Sequence, residues 1–592
     1  MLKGGYVLFP RVFKDPSDAT MILHPPGYAI LIAGIYRYFG TSEANIQLLQ
    51  IVCDSAAAVL IFLIAGELLP LAMAIVAGVL VALSPHLAYY SLWFSPDSLA
   101  VLPILAAIYF ITCAVKKPRL ITVLAAGALL GLSCWLRSNG LLLAPLVAIV
   151  IMLLFRAPKG YRYAAAFLGT VLIVISPITI RNMVLFHRFI PLSVGAGITL
   201  IEGISDYDKE HIFGMPFTDE QAAQMEAQAY GRPDYDKDLW ISDGIDRDHA
   251  RLARGLTVIR SHPVWFLGVM LRRSGFMLRY NDSLSHEWPF HSASVPIVSA
   301  YPLVSHTLEV KDGMKPVRSI PPSELIANGA VISSRAEVSV EDEGQTLQVR
   351  TDGSEYDDQV ATATTGVKRN TDYLLRLPLK LERGEMAAKI TTVERRATLA
   401  SEILSDAERK ARKRSKKNRE KNPTESNAAD LPSERDFASV LIPFASGDRT
   451  EVRLVLSNNG SGAAGALLRV GTADLFELGP TPYTWTRYPR AVIRLAQKNV
   501  FTTNHMLPLI GLGIVLIAVT RRRRMLAILL VVPIYYLLVQ STLHTEYRYI
   551  LAIHYFLFVM AAVPLGLTCN AMTQSAKFAA ARLRLRVQKS GL

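Results

Sequence analysis

The 592-residue chain carries 63 Lys and Arg against 49 Asp and Glu, a formal net charge of +14, and is 51% hydrophobic with only 19% charged residues. Together with a mean hydropathy of +0.29, this composition excludes a disordered, collagenous or disulfide-stapled chain, and it is too apolar for a purely soluble protein of this size. The apolar residues run in long blocks, so the chain reads as a membrane protein with a soluble part.

Residues 1–43 form a first outer loop, in which Tyr28 to Phe39 is apolar over only about a dozen residues and reads as an interfacial helix. Residues 44–182 hold the first group of membrane helices, with spans near 44–66, 70–88, 98–115, 120–136, 141–155 and 163–180. A second group occupies 503–568, with spans near 503–520, 525–541 and 549–568, and a basic cytoplasmic tail covers 569–592. Orientation follows the Lys and Arg of the short loops. Lys116, Lys117 and Arg119, then Arg156, Lys159 and Arg162, then Arg521 to Arg524, and the tail's Lys577, Arg582, Arg584, Arg586 and Lys589 all fall on one side when the spans are threaded alternately. Everything else of interest faces outward, including the whole of 181–502. Such a threading also puts Met1 outside with no apolar helix ahead of it. Two expectations follow: a further apolar helix encoded upstream, or insertion of residues 25–43 themselves.

The four cysteines, Cys53, Cys113, Cys134 and Cys569, lie in or beside the apolar blocks and read as small packing residues rather than a disulfide framework.

Residues 183–326 mix helical and irregular signals. Asp206-Tyr207-Asp208 and Asp234-Tyr235-Asp236 have a spacing at which two carboxylates share a hard cation, but neither sits in a βαβ context, and a solvated acidic loop is the expectation for both. Residues 255–280 combine Trp265, Phe266, Leu267, Met270 and Leu271 with Arg260, Arg272 and Arg273, the pattern of a basic amphipathic helix on a membrane surface. From 327 to 480 the period changes to two: Tyr373, Leu375, Leu377, Leu379 and Leu381 alternate, as do Val452, Leu454 and Leu456, which predicts a β-sandwich. A basic insertion near 403–437, with Arg409-Lys410, Arg412 to Arg414 and Lys416-Lys417, reads as a disordered loop with a secondary attraction to anionic head groups. Residues 481–502 are an interfacial linker.

Charges at the outer ends of membrane helices are expensive unless paired or used. Asp97 in Ser95-Pro96-Asp97, Arg137 in Leu136-Arg137-Ser138-Asn139-Gly140, Arg181 in Ile180-Arg181-Asn182, and Glu546 with Arg548 in Glu546-Tyr547-Arg548-Tyr549 all converge on that face. Three guanidinium groups there suit bidentate recognition of a phosphate whose lipid tail lies among the helices.

These residues carry a family resemblance. His24-Pro25-Pro26-Gly27-Tyr28 followed by an apolar helix, then Ser95-Pro96-Asp97, Gly131 to Arg137, Pro177 to Asn182, Gly195-Ala196-Gly197 and Glu546 to Tyr549, are similar to motifs of GT-C glycosyltransferases of the family 39 type, which include protein O-mannosyltransferases and the lipid A aminoarabinose transferase. The resemblance covers roughly 1–205 and 500–570. It implies an α-helical polytopic GT-C bundle, into which the extracytoplasmic β-sandwich read from the period-two pattern, jelly-roll-like and similar to carbohydrate-binding modules, is inserted. It also implies inverting transfer of a sugar from a polyprenyl-phosphate donor, undecaprenyl or dolichyl in type, to a glycan, lipid or protein acceptor outside the plasma (inner) membrane. On the family's pattern Arg137, Arg181 and Arg548 handle the phosphate or shape the site, and His24 stands where some relatives have a lysine. Asp97 matches the second acidic position and is the candidate base. The family's principal acidic residue would fall upstream of Met1, with Asp15 and Asp18 as substitutes in the remaining loop. No nucleotide cofactor and no nucleic-acid partner are expected, no outward cluster has convincing metal-ligand spacing, and a divalent ion is compatible with the chemistry. The competing readings are a non-catalytic, membrane-anchored sugar-binding protein and a lipid-linked-sugar flippase, for which Asp54 inside the first span is the clearest candidate residue.

Overall fold

A computed structural model describes residues 24–589 except 209, 217–218, 234–243, 281–294, 299–313, 328, 335, 352–357, 385, 394–397, 405–437 and 459–464. Asp15, Asp18, Asp234 to Asp236 and the basic run beginning at Arg409 lie outside the described residues. The chain divides into a membrane unit, 1–298 with 495–592, and an inserted unit, 299–494.

The membrane unit begins with α1 (Gly27–Phe39), α2 (Glu43–Leu68), α3 (Leu71–Leu83), α4 (Pro85–Tyr90), α5 (Pro96–Lys116), α6 (Leu120–Leu136), α7 (Gly140–Leu154) and α8 (Lys159–Phe186), followed by α9 (Ala196–Ser205), α10 (Asp219–Ala229), α11 (Ile245–Ser261) and α12 (Pro263–Met277). Each apolar block of the sequence is helical, because backbone groups in hydrocarbon must be satisfied within their own segment. The block 70–88 is broken in two at Ser84-Pro85, where Ser84 caps α4. Thirteen residues make α1 only about 20 Å long, short of a bilayer core.

Among the described residues, five helices are long and apolar enough to cross a membrane: Glu43–Leu68, Pro96–Lys116, Lys159–Phe186, Arg523–Thr542 and Tyr547–Ala571. Shorter apolar helices, α3, α6 and α7, complete the bundle. The last apolar window is 89% buried and is the post around which the others pack. The expected surface helix over 255–280 is two helices, since His262-Pro263 breaks it. α12 buries Phe266, Val269, Arg273 and Met277 and exposes Val264, Leu267 and Leu271.

The inserted unit contains a short helix, α13 (Pro322–Leu325), and two antiparallel sheets. Its strands are β1 (Arg318–Ile320), β2 (Val331–Ile332), β3 (Glu337–Glu341), β4 (Thr346–Arg350), β5 (Asp358–Gly366), β6 (Thr371–Arg383), β7 (Met386–Thr391), β8 (Thr398–Leu404), β9 (Ala438–Ala445), β10 (Glu451–Asn458), β11 (Leu467–Val470) and β12 (Ala473–Pro480). One sheet has the order β1-β12-β6-β11-β4-β3, with β9 also on β6; the other runs β2-β5-β10-β7-β8. The period-two residues Leu375, Leu377, Leu379 and Leu381 of β6 share one core with Val452, Leu454 and Leu456 of β10, as alternation requires of a half-buried strand. The remaining helices are α14 (Arg487–Asn499), α15 (Thr503–Val519), α16 (Arg523–Val539) and α17 (Leu551–Lys589). The chain is thus a multi-pass α-helical membrane protein with an inserted, curled β-sandwich on its extracytoplasmic side.

Candidate active site

Four of the residues picked out of the sequence meet at the outer end of the bundle. Asp97 lies in the first turn of α5, where Ser95 is the N-cap and the helix dipole favours an anion. Its carboxylate, only 7% exposed, accepts from the Ser95 hydroxyl and from Arg137, whose Nε is 2.5 Å from Oδ1. Arg137 occupies the C-cap of α6. That helix end is pinned by Ser133 Oγ donating to the Ala100 carbonyl (2.9 Å) and Trp135 Nε1 donating to that of Val174 (2.8 Å). Gly27 of the Pro-Pro-Gly-Tyr segment lies against the Trp135 backbone, where a Cβ would overlap the carbonyl group.

Arg548 comes from the turn before α17. It pairs with Glu546 (Nε to Oε2 2.7 Å) and donates to the Tyr549 hydroxyl (3.1 Å). The Tyr549 ring is shared: Arg137 lies 4.5 Å and Arg548 5.0 Å from its centre. Beneath this turn the Tyr547 ring packs against those of His86 (4.4 Å) and His554 (4.8 Å), which fixes the backbone preceding Arg548. Asp97, Arg137, Asn139, Arg548 and Tyr549 line one small, partly enclosed cavity.

Among the described residues, Arg137 bonds only to Asp97, and Arg548 only to Glu546 and Tyr549. A guanidinium has five N–H donors, so both keep donors for a ligand. His24 feels Arg137, Asp97 and Arg548; loss of hydration, and then the two cations, lower its imidazole pKa below the usual value, with Asp97 opposing. Tyr28 has a buried hydroxyl without a hydrogen-bond partner among the described residues, and burial together with Asp97 pushes its phenol up to about 12. Tyr28 does not line the cavity, but an orphaned buried hydroxyl close enough to Asp97 to feel its charge is suited to meet a ligand.

Arg181 is elsewhere. It is buried at the end of α8, where it donates to Asn182 Oδ1 (2.8 Å) and lies over Phe186, and it does not line the cavity. The Asp-x-Asp segment at 206–208 is not the solvated loop expected. Asp208 is 4% exposed and accepts from the Ile212 and Phe213 amides (2.9 and 2.8 Å), while Asp206 meets His544 (3.0 Å) and Arg273 (3.5 Å). The two carboxylates serve different partners because the turn after α9 points them apart. Asp54 accepts from Tyr555 (2.6 Å), an interhelical hydrogen bond of the kind that joins membrane helices.

Sequence reading missed several residues around the cavity. Gln50 of α2, fully buried, donates to the carbonyl oxygen of Trp93 (2.7 Å) and also reaches that of Ser95 and the Ser98 hydroxyl, latching the turn that carries Asp97. The signal was a lone amide inside an apolar span. Arg273 was read as one of several surface cations, yet it is 2% exposed and donates to the backbone carbonyls of Gly203 and Ser541 (the latter at 2.7 Å). It thereby ties α9 and α12 to the loop that leads to Arg548. Gly203 permits this, since a Cβ there would meet the Leu543-His544 backbone.

Residues 23–180 match the family described as dolichyl-phosphate-mannose-protein mannosyltransferase. The match takes in His24, Asp97 and Arg137, ends before Arg181 and the turn at 546–549, and covers a little over a quarter of the chain. The first membrane helices are therefore similar to those of a membrane sugar-transferase family. No curated protein matches the sequence. Among solved structures, the CBM22-1 xylan-binding domain of Xyn10C from Paenibacillus barcinonensis is 13% identical, over 28% of this chain and 98% of that one, with a TM-score of 0.17. Arabinosyltransferase EmbB from Mycobacterium smegmatis is 11% identical, over 76% of this chain and 59% of that one, with a TM-score of 0.21. At these scores neither likeness carries an argument.

Proposed function

We propose that this protein is an inverting glycosyltransferase of the plasma (inner) membrane, taking a sugar from a polyprenyl-phosphate donor to an acceptor hydroxyl on the extracytoplasmic side. The observation that carries this reading is the convergence of one carboxylate and two incompletely used guanidinium groups on a cavity at the outer membrane boundary, within and beyond a segment similar to a mannosyltransferase family.

In this reading the donor phosphate enters between Arg137 and Arg548 and takes over part of the contact between Arg137 and Asp97. The released Asp97 carboxylate accepts the proton of the acceptor hydroxyl as its oxygen attacks the anomeric carbon. The bond from that carbon to the phosphate oxygen breaks, and its electron pair passes to the phosphate, where the two cations stabilise the growing charge. Glu546 holds Arg548 in place, Tyr28 offers its hydroxyl to the donor, and His24 stays neutral near the mouth. Arg181 acts from outside the cavity by fixing the end of α8. The sandwich, similar in sequence pattern to carbohydrate-binding modules, holds or admits the acceptor.

Asp97→Asn tests the assignment of the base. Release of labelled sugar from a polyprenyl-phosphate donor should fall by at least roughly 100-fold while donor binding persists; unchanged turnover would remove Asp97 from that role.

A further inference from the structure

We infer that Asn139 reads a hydroxyl of the transferred sugar, accepting its hydrogen bond beside the carrier phosphate; the inference rests on the glycosyltransferase reading above. Asn139 stands at the N-cap of α7, where an asparagine ordinarily accepts from an amide of the first turn, yet its side chain makes no such capping bond. It lines the cavity together with Arg137 and Arg548. Its main chain is held in place, since the Tyr535 hydroxyl of α16 donates to the Asn139 carbonyl.

A chain of hydrogen bonds decides which end of the amide faces Gln540. The Thr545 hydroxyl lies 2.8 Å from the Gln540 carbonyl and 3.0 Å from that of Leu543, so its one hydrogen is committed to main-chain oxygen. Towards Gln540 Nε2, at 3.4 Å, it can then only accept, as the His544 carbonyl does at 3.2 Å. Nε2 is thereby fixed, and the buried Gln540 turns Oε1 to Asn139. Against that oxygen Asn139 must present Nδ2, at 3.4 Å. Oδ1 is left on the other branch of the amide, with no partner among the described residues. The ligand chemistry follows from this. A phosphate esterified to both a sugar and a polyprenyl chain is an anion without a hydrogen, so it turns to the guanidinium groups and away from an amide oxygen. A sugar hydroxyl has a hydrogen to give. Arg137 and Asn139 share the turn between α6 and α7, so of the two hydroxyl-bearing substrates the one bonded to the phosphate is the nearer.

The test measures binding rather than transfer, on the full chain in nanodiscs, with undecaprenyl phosphate, bare and carrying mannose, glucose, xylose or arabinose. Wild type should hold one sugar-linked form more tightly than the bare phosphate. Asn139→Leu should reduce that ratio by about five- to tenfold, the contribution of one neutral hydrogen bond, with affinity for the bare phosphate unchanged. A merely structural role would weaken both ligands alike and leave the ratio where it was. Asn139→Asp gives the second arm: it keeps an oxygen at this place and adds charge, so both affinities should fall while the ratio holds. An unchanged ratio in Asn139→Leu, or an equal loss of ratio in Asn139→Asp, would overturn the assignment. So would a raised acceptor KM with the ratio intact, which would give the contact to the acceptor hydroxyl instead. A wild type that binds the bare phosphate and prefers no sugar-linked form refutes this inference alone, whereas failure to bind the phosphate at all refutes the glycosyltransferase reading and this inference with it.

Discussion

Arg273 and Arg137 each meet a carboxylate in the membrane unit, yet their surroundings differ in the respect that decides their use. Arg273 is buried, with backbone carbonyls of Gly203 and Ser541, Asp206 and the Tyr207 ring around it. Burial lowers its pKa, and Asp206 and Tyr207 work against that shift, so the charge persists as a clasp between segments. Arg137 has one acceptor among the described residues and a cavity beside it, and Arg548 across the Tyr549 ring is similarly underused. An arginine buried against the backbone carbonyls of two separate segments holds the fold together. One whose donors are left over is placed for a ligand.

The largest effect that could break this comparison is on Arg273. Arg273→Met removes the donor to the Gly203 and Ser541 carbonyls and takes one cation from Asp206, which keeps His544; it should lower stability by about 3–5 kcal/mol, as loss of one partner of a buried pair does, and thermal unfolding in detergent reads it. A variant as stable as wild type would show that the cluster is not a clasp. Gln50→Leu should cost about 1 kcal/mol of stability, the range of hydrogen bonds between membrane helices. It should also lower turnover through a displaced Asp97 turn, with Gln50→Asn restoring part of it; turnover unchanged by Gln50→Leu would separate the latch from the site.

Smaller effects sharpen the picture of the cavity. Tyr28→Phe removes a hydroxyl that has no hydrogen-bond partner among the described residues, so stability should hold or rise slightly while the donor KM increases. A loss of stability with KM unchanged would instead make it structural. His24 titrates with a lowered folded-state pKa, so the unfolded chain takes up this proton first. Its contribution to stability is complete above the unfolded value of about 6.5 and is lost as pH falls from there through the lowered folded value. His24→Gln should therefore lose less stability than wild type between about pH 7 and 5, and identical acid profiles would mean that His24 is not so perturbed.

Much of this architecture was legible in the sequence because lipid and sheet each impose one rule. Long apolar runs such as 44–66 and 98–115 have a single solution in hydrocarbon, and strict alternation through Leu375 to Leu381 has a single solution on a sheet. The end-of-helix charges Asp97, Arg137, Glu546 and Arg548 were legible for the same reason: an ion at that depth needs a partner. What sequence does not contain is rotation about a helix axis. Arg272 and Arg273 are neighbours, yet one is exposed and the other is 2% exposed, a difference set by how α12 packs. Arg181 has the same sequence setting as Arg137 and is turned to Asn182 and Phe186 instead. Tyr28 could not be seen as an orphan until its surroundings were known.

The central claim is that the cavity between Arg137 and Arg548 is where sugar transfer occurs, and Arg548→Ala tests it most directly. Measured in the full chain reconstituted in lipid, with a labelled polyprenyl-phosphate sugar, transfer should fall by about 100- to 1,000-fold, the cost of removing one donor to a developing anion, while membrane insertion and thermal unfolding stay near wild type. Full transfer activity in that variant would contradict the account.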